Sequence, residues 1–283
     1  MPGSIRVFAG ADLVPGALRI LSLGVLGLWA LVALIGPWLP LNPDAVNLPA
    51  ILAPPGTDAG ALLGCDDLGR PVLDRLLLGA RTSFLVGIGV VALSAALGTL
   101  VGAAAGLAGG WVDLALVRLV DVFLAFPGIL LAIALAGVLG PGLDNVIVAL
   151  AVVGWVGYAR LARAQVLTLK RRDHVAAARA LGAGHWRILW RHLLPLALAP
   201  LVVEATFGVA AAVVAEAGLS FLGLGVQPPQ ASWGGMIRDG VGYMLVAPHL
   251  VLAPGFAIVL LVLSVNLLGD ALRDRMDVRL ADR

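Results

Sequence analysis

Charge is scarce in this chain. Charged side chains make up 13% of its 283 residues against 60% hydrophobic ones, and the mean hydropathy is +1.01. A soluble globule of this length needs far more polar surface, so the composition describes a multispanning membrane protein. Cysteine occurs once, at Cys65, which excludes an internal disulfide or a thiolate metal cluster and reads as a small loop residue. Lysine also occurs once. Lys170 stands between Leu169 and Arg171, so there is no G-x-x-x-x-G-K-[ST] phosphate loop, and ATP hydrolysis would have to come from another chain. No His-Glu-x-x-His zinc site, Gly-x-Ser-x-Gly elbow or membrane-embedded aspartate pair is present, so no catalytic or metal-binding residue is assigned and the chain does not read as an enzyme. Its pI of about 9.2 follows from arginines placed for topology, with no nucleic-acid patch. Neither a repeat of fixed period nor a low-complexity tract interrupts it.

What the chain has in abundance is long apolar runs. The first, Ala17 to Leu39, is long enough at about 1.5 Å per residue to cross a hydrocarbon core of about 30 Å, and too long for the apolar region of a signal peptide. Prolines 40, 43, 49, 54 and 55 then describe an extended loop, and Pro71 predicts a short amphipathic helix to about Arg81. The second span, Ser83 to Leu107, carries Gly98, Gly102 and Gly106 at four-residue intervals, a ridge suited to backbone-to-backbone helix packing rather than to a substrate path. The third block, Trp111 to Leu139, opens with Asp113, Arg118 and Asp121, with a kink predicted at Pro127. A fourth span covers Asn145 to Leu161, a fifth Leu196 to Leu222, and a sixth Pro248 to Leu268, which ends on a tail too polar to stay in lipid.

Glutamate occurs twice, at Glu204 and Glu216, both in the fifth span. A carboxylate at mid-membrane costs about 2.5 to 3.5 kcal/mol on the insertion scale, so both are functional suspects. Twelve residues separate them by about 18 Å and about 120° of rotation, so a straight helix does not make them one site. Ser220 shares the face of Glu216, and Asn266 is polar in the sixth span. Glu216, Ser220, Glu204 and Asn266 are the candidates to line a translocation path, with Glu216 foremost. The plainer alternative leaves Glu204 at the interface and Glu216 hydrogen-bonded to a neighbouring helix.

One segment is strongly charged. Tyr158 to Pro195 holds eight basic residues against the single acid Asp173. Val175 to Leu181 is Ala-rich, Gly182 and Gly184 supply positions for positive φ, and His185 to Leu194 restarts with Trp186, Leu189, Trp190 and Leu193 on one side. Pro195 would open the fifth span as a first-turn proline. A small-residue helix face lets a partner backbone approach closely, while a basic segment lying on anionic lipid accounts for the arginines but not for the Ala/Gly spacing. His174, His185 and His192 lie in this stretch, where solvated or interfacial roles suffice.

The run Ala177, Ala178, three residues, Gly182, then Leu194-Pro195 resembles the cytoplasmic EAA loop of inner-membrane subunits of ATP-binding-cassette importers. The stretches LGCDDLGRPVLDRLLLGARTS, ARALGAGHWRILWRHLLP and AEAGLSFLGLGVQPPQASWG resemble the dipeptide/oligopeptide/nickel group of those permeases, from about Leu63 onward. One departure stands out: Ala176 occupies the family's glutamate position. The resemblance implies an all-α integral membrane protein of six transmembrane helices, with a cytoplasmic coupling-helix loop between the fourth and fifth. It implies residues 1–62 as an N-terminal span (17–39) and extracytoplasmic loop, and 63–283 as the permease domain with coupling loop 163–195. Ala176, Ala177, Ala178, Arg179, Gly182 and Ala183 would dock an ATPase. Gln227, Gln230, Trp233, Arg238 and Asp239, in the loop before the sixth span, would dock an extracytoplasmic substrate-binding protein. The implied partners are that binding protein, a second homologous permease subunit, two ABC ATPase subunits carrying ATP and magnesium, and membrane lipid; no cofactor is implied in this chain and no nucleic acid.

Topology follows from arginine placement. Arg6, Arg19, Arg118, the eight basic residues of the loop, Arg273, Arg275, Arg279 and Arg283 make 15 of 19 on one side, which predicts a multi-pass protein of the bacterial cytoplasmic (inner) membrane with both termini cytoplasmic. A proton-coupled secondary transporter using Glu204 and Glu216 is the competing class, but it would show related halves and needs no Ala/Gly docking loop. Between peptides and nickel, the absence of a histidine deep in any span favours peptides, since a nickel path should offer imidazole or thiolate; His249 lies at the outer end of the sixth span, and Glu216 with Ser220 suits ammonium and amide groups.

Overall fold

The computed structural model describes residues 16–57 and 61–281, with side chains to Met276. Arg6, Arg279 and Arg283, which entered the topology count, lie outside the described side chains. Among the described residues all regular structure is helical, in the order α1 Gly16–Ile35, α2 Val72–Ala108, α3 Gly110–Leu124, α4 Gly128–Leu139, α5 Leu143–Leu169, α6 Asp173–Ala180, α7 His185–Ile188, α8 Leu194–Phe221, α9 Trp233–Val241 and α10 His249–Ala281.

Among the described residues, five helical stretches are long and apolar enough to cross a membrane, and α3 with α4 makes a sixth crossing if that pair is one broken span. The pair bends by 85°, so Pro127 marks a break and not the kink expected of it. Two contacts fix its two ends at opposite ends of the bundle. Asp113 near the start of α3 is held by Arg163 near the end of α5, while Gly142, just past α4, donates its N–H to the Gly225 carbonyl beyond α8. Chain direction alternates through the bundle, so α6, the start of α1 and the end of α10 share one end with Arg163. Arg19 and Leu23 of α1 and Leu272 and Arg275 of α10 line one small cavity there.

The ridge of α2 sits on α5 as its spacing predicts. A β-carbon on Gly102 would stand 2.8 Å from the Ala159 α-carbon, and one on Gly106 would stand 3.1 Å from the Arg163 carbonyl oxygen. Lys170 Nζ donates to the Gly106 carbonyl at 2.7 Å and closes the end of this contact. On the other flank α1 lies against α2 and α10, with Trp29 Nε1 donating to the Ala80 carbonyl at 3.1 Å.

Several expectations are corrected. The amphipathic helix from Pro71 is the first three turns of α2 itself, because no breaker stands between Ala80 and Ser83; at 37 residues, α2 is about 55 Å long and must project beyond the hydrocarbon. The described part of the loop from Pro40 to Arg70 is a folded cap, pinned by Asp66, which accepts from Arg70 Nε at 2.7 Å and from the N–H groups of Leu68 and Arg70. Cys65 is 4% exposed within that cap. Gly184 has φ −69°, so Gly182 alone supplies the left-handed turn. Pro195 falls in the first turn of α8 as expected, but α8 follows α7 through a π turn over Leu189–Leu193, so His185 to Phe221 keeps one helical course. In that stretch Ile188, Leu189 and Leu193 are buried, whereas Trp186 and Trp190 are exposed, so the tryptophans and leucines do not share one face.

Candidate translocation cleft and coupling helix

α6 is a short helix that offers almost everything it has. Only Val175 is buried, while Ala176, Ala177, Arg179 and Ala180 are exposed and Ala178 is half-buried. Asp173 in its first turn and Arg179 in its last suit the helix dipole. The helix closes in a Schellman motif: Ala183 N–H reaches the Ala178 carbonyl at 3.0 Å, Gly182 N–H reaches the Arg179 carbonyl at 2.9 Å, and Gly182 has φ +81°. This turn pushes Leu181 outward to 89% exposure beside the Ala face. The predicted docking residues Ala176, Ala177, Ala178, Arg179, Gly182 and Ala183 are therefore brought together on one projection.

The two glutamates lie in opposite environments. Glu204 is exposed and lines a cavity of about 350 Å³ between α2, α4, α5 and α8, together with Ser94 and Tyr158. Glycines make room for each of these polar groups. A β-carbon on Gly157 would stand 3.4 Å from Glu204 Oε1, one on Gly154 2.7 Å from Ser94 Oγ, and one on Gly208 2.5 Å from the Tyr158 hydroxyl. That hydroxyl is buried and has no hydrogen-bond partner, while Ser94 Oγ donates to the Ala151 carbonyl at 3.3 Å. Apolar walls complete the cavity, among them Val90, Ile129 and Leu150.

Glu216 is fully buried. Its Oε1 accepts from Ser220 Oγ at 2.6 Å, and Ser220 underlies Gly225, whose β-carbon position lies 2.7 Å from the Ser220 α-carbon. Since Gly225 also accepts from Gly142, the Glu216–Ser220 pair supports the junction of the α8 and α4 ends. The expectation that put Glu216 and Ser220 first among path residues is thus reversed by placement: the exposed carboxylate in a cavity is Glu204. Asn266 is half-buried on α10, on the flank where Gly269 packs against Thr206 and Phe207, and does not line that cavity. Sequence reading missed Ser94, Tyr158, Gly154, Gly157 and Gly208. The signal was there as Gly157-Tyr158 beside Gly154, and as Gly208 one turn from Glu204, but it needs the α5–α8 contact to be read.

Residues 98–282 match the family described as binding-protein-dependent transport system inner membrane component. The chain is 44% identical over 253 residues to the di/tripeptide transport system permease protein of Pseudomonas aeruginosa, covering 88% of this chain and 84% of the relative. It is 43% identical over 225 residues to the glutathione transport system permease protein of Pectobacterium atrosepticum, covering 80% and 75%. With the nickel transport system permease protein of Escherichia coli it shares 42% over 261 residues, covering 92% and 94%. The chain belongs to this family. It is an inner-membrane permease subunit of an ABC importer, and the multispanning architecture is that of an integral membrane component.

In this permease the end opposite α6 carries α9, whose first residue is corrected as a docking candidate. Trp233 is buried, with Nε1 donating to the Leu76 carbonyl at 2.9 Å and its ring over Gly79, so it ties α9 to α2 and presents no surface. Ser232 caps α9 by accepting from Gly235 N–H at 3.1 Å. Gln227 and Gln230 are exposed before the helix; Arg238 and Asp239 are half-buried and paired with each other at 3.1 Å. Tyr243 packs partly buried against the α9–α10 core.

Proposed function

We propose that this permease passes short peptides toward the cytoplasm, through a path formed with a second homologous permease chain and driven by two ATPase subunits that hold ATP and magnesium. The α6 projection docks one ATPase, and Gln227, Gln230, Arg238 and Asp239 face an extracytoplasmic substrate-binding protein. Supporting the orientation, Arg19, Arg118, the basic residues around α6, Arg273 and Arg275 gather toward one end, which is the cytoplasmic end by the positive-inside rule, so both termini are cytoplasmic. ATPase closure enters through α6 and moves the helices as a body.

The observation that carries the peptide reading is the cavity of Glu204, Tyr158 and Ser94: one carboxylate and two hydroxyls in an apolar wall suit an ammonium group with organic side chains. Two of the relatives named above are peptide and glutathione permeases, and a third is a nickel permease of equal similarity, so nickel is the second reading. A nickel path would favour imidazole ligands, and this cavity offers hydroxyls in their place. The test is uptake by the complete transporter reconstituted in vesicles, with radiolabelled dipeptide and with nickel. Dipeptide accumulation that requires ATP and the binding protein supports the reading; nickel accumulation without dipeptide accumulation overturns it.

A further inference from the structure

A second cavity adjoins the first. It measures about 640 Å³, lies between α3 and α5, and is lined by Arg160, Arg163, Leu161, Ala164 and Asp121. Gly157 belongs to its lining and is also the residue against which Glu204 Oε1 sits. Of the α5 positions that line the two cavities, 150, 153, 154, 157, 160, 161 and 164 fall on one helical face, with Tyr158 and Arg163 to either side of it. The two cavities are therefore successive stretches along one side of α5, and the 85° break between α3 and α4 stands beside them.

Charge along that side changes sign. At the Glu204 stretch the polar groups are oxygens: the carboxylate, the buried unpartnered Tyr158 hydroxyl, and Ser94 Oγ with a lone pair still open after its bond to Ala151. A primary ammonium has three N–H donors and meets three acceptors there. One helical turn further, Arg160 is exposed, while Arg163 is engaged by Asp113 and Asp121 lies near Arg118 at 3.9 Å. Arg160 thus remains to meet an anion, and a guanidinium suits a carboxylate in two-pronged geometry.

We propose that this side of α5 recognises a small zwitterion in transit, with Glu204, Tyr158 and Ser94 receiving the substrate's ammonium group and Arg160 receiving its carboxylate. Gly157, against which Glu204 sits, and Arg160 are three residues apart on α5, a rise of about 4.5 Å, which lies within the roughly 7 Å that an extended dipeptide spans. A bare divalent cation would be attracted at Glu204 and repelled at Arg160. The inference rests on the peptide reading above and adds to it which residues read the two termini.

The complete transporter, reconstituted with its partner chains in a Cys65→Ala background, carries a reporter cysteine either at Ala211→Cys, exposed in the Glu204 stretch, or at Ala164→Cys, exposed in the Arg160 stretch. Each is reacted during turnover with cationic and anionic methanethiosulfonates of similar size. A charged cleft concentrates the opposite ion about tenfold or more, so the Ala211→Cys site should favour the cationic reagent and the Ala164→Cys site the anionic one by about that factor. Glu204→Gln should abolish the first preference only and Arg160→Gln the second only, and each should cut dipeptide uptake about tenfold while ATPase subunits stay bound. Equal rates with both reagents, in a transporter that still takes up dipeptide, overturn the zwitterion assignment and leave the peptide reading standing. No reaction at either cysteine removes this side of α5 from the path and overturns the inference with it.

Discussion

Arg163 on α5 holds Asp113 on α3 through two parallel N–H···O bonds, with Nη2 to Oδ2 at 2.7 Å. The pair anchors the start of the broken α3–α4 crossing below the cleft. Fork-on-fork geometry makes it stronger than an ordinary surface pair, but both side chains retain some solvent contact, so about 1 kcal/mol is the expected scale. Arg163→Ala should lower the unfolding midpoint of the detergent-purified protein by a few degrees, and Asp113→Ala should add little to it in the double variant. Fully additive losses would show that the two side chains act separately.

The glycine ridge gives a graded prediction. At Gly102 an added methyl would stand 2.8 Å from the Ala159 α-carbon, which cannot yield without separating α2 from α5, whereas at Gly106 the Arg163 carbonyl oxygen at 3.1 Å and the Val166 side chain at 3.3 Å need give only a few tenths of an ångström. Gly102→Ala should therefore cost at or above the top of the usual overpacking range of about 1–3 kcal/mol, and Gly106→Ala near its bottom. Yield of monodisperse protein and its unfolding midpoint read this out. Equal tolerance at both positions would contradict the close approach.

These two contacts mark what a single sequence can and cannot disclose. Spacing along one helix is visible, so the ridge of Gly98, Gly102 and Gly106 and the break at Gly182 could be placed from residue order alone. Which neighbour a face meets is not visible. Glu204 and Glu216 differ by about 120° on the wheel, and nothing in the fifth span says that the first opens toward Gly157 while the second turns under Gly225. Trp233 reads as a docking residue at the surface until Gly79, more than a hundred residues away, supplies the gap into which its ring fits. Charged residues misplace boundaries for a related reason: Arg75 and Arg81 suggest a helix apart from the span, yet helix propagation stops only at a breaker, and none occurs there.

The cap at the end opposite α6 makes Cys65 a poor topology reporter and suggests a better one. Cys65 N–H donates to the Ala53 carbonyl within the cap, its own carbonyl lies against His249 of α10, and the residue is almost wholly covered, so a membrane-impermeant maleimide should label it slowly in intact spheroplasts, whatever the orientation. Gln230→Cys in a Cys65→Ala background is exposed and should label at once, while Leu181→Cys should label only after lysis. The reverse pattern would invert the orientation.

At Gly182 the backbone and the contact surface can be tested apart. Nothing lies within 4 Å of where its β-carbon would stand, so a substitution meets no wall inside the chain, and its effect within the chain comes from φ +81° alone. Valine at that angle carries strain of order 1 to 3 kcal/mol, enough to unwind the Schellman turn and displace Leu181, whereas asparagine adopts the left-handed region readily. Gly182→Val should insert normally but uncouple the complex, either by losing the ATPase or by hydrolysing ATP without transport, and Gly182→Asn should keep most uptake. Because the exposed face of α6 carries Ala176, Ala177 and Ala180, the contact should depend on shape, and about 0.5 M salt, which screens charges beyond a few ångströms, should release little ATPase. Failure of both variants would assign the defect to side-chain bulk at the docking face; full transport by Gly182→Val would take α6 out of the coupling route.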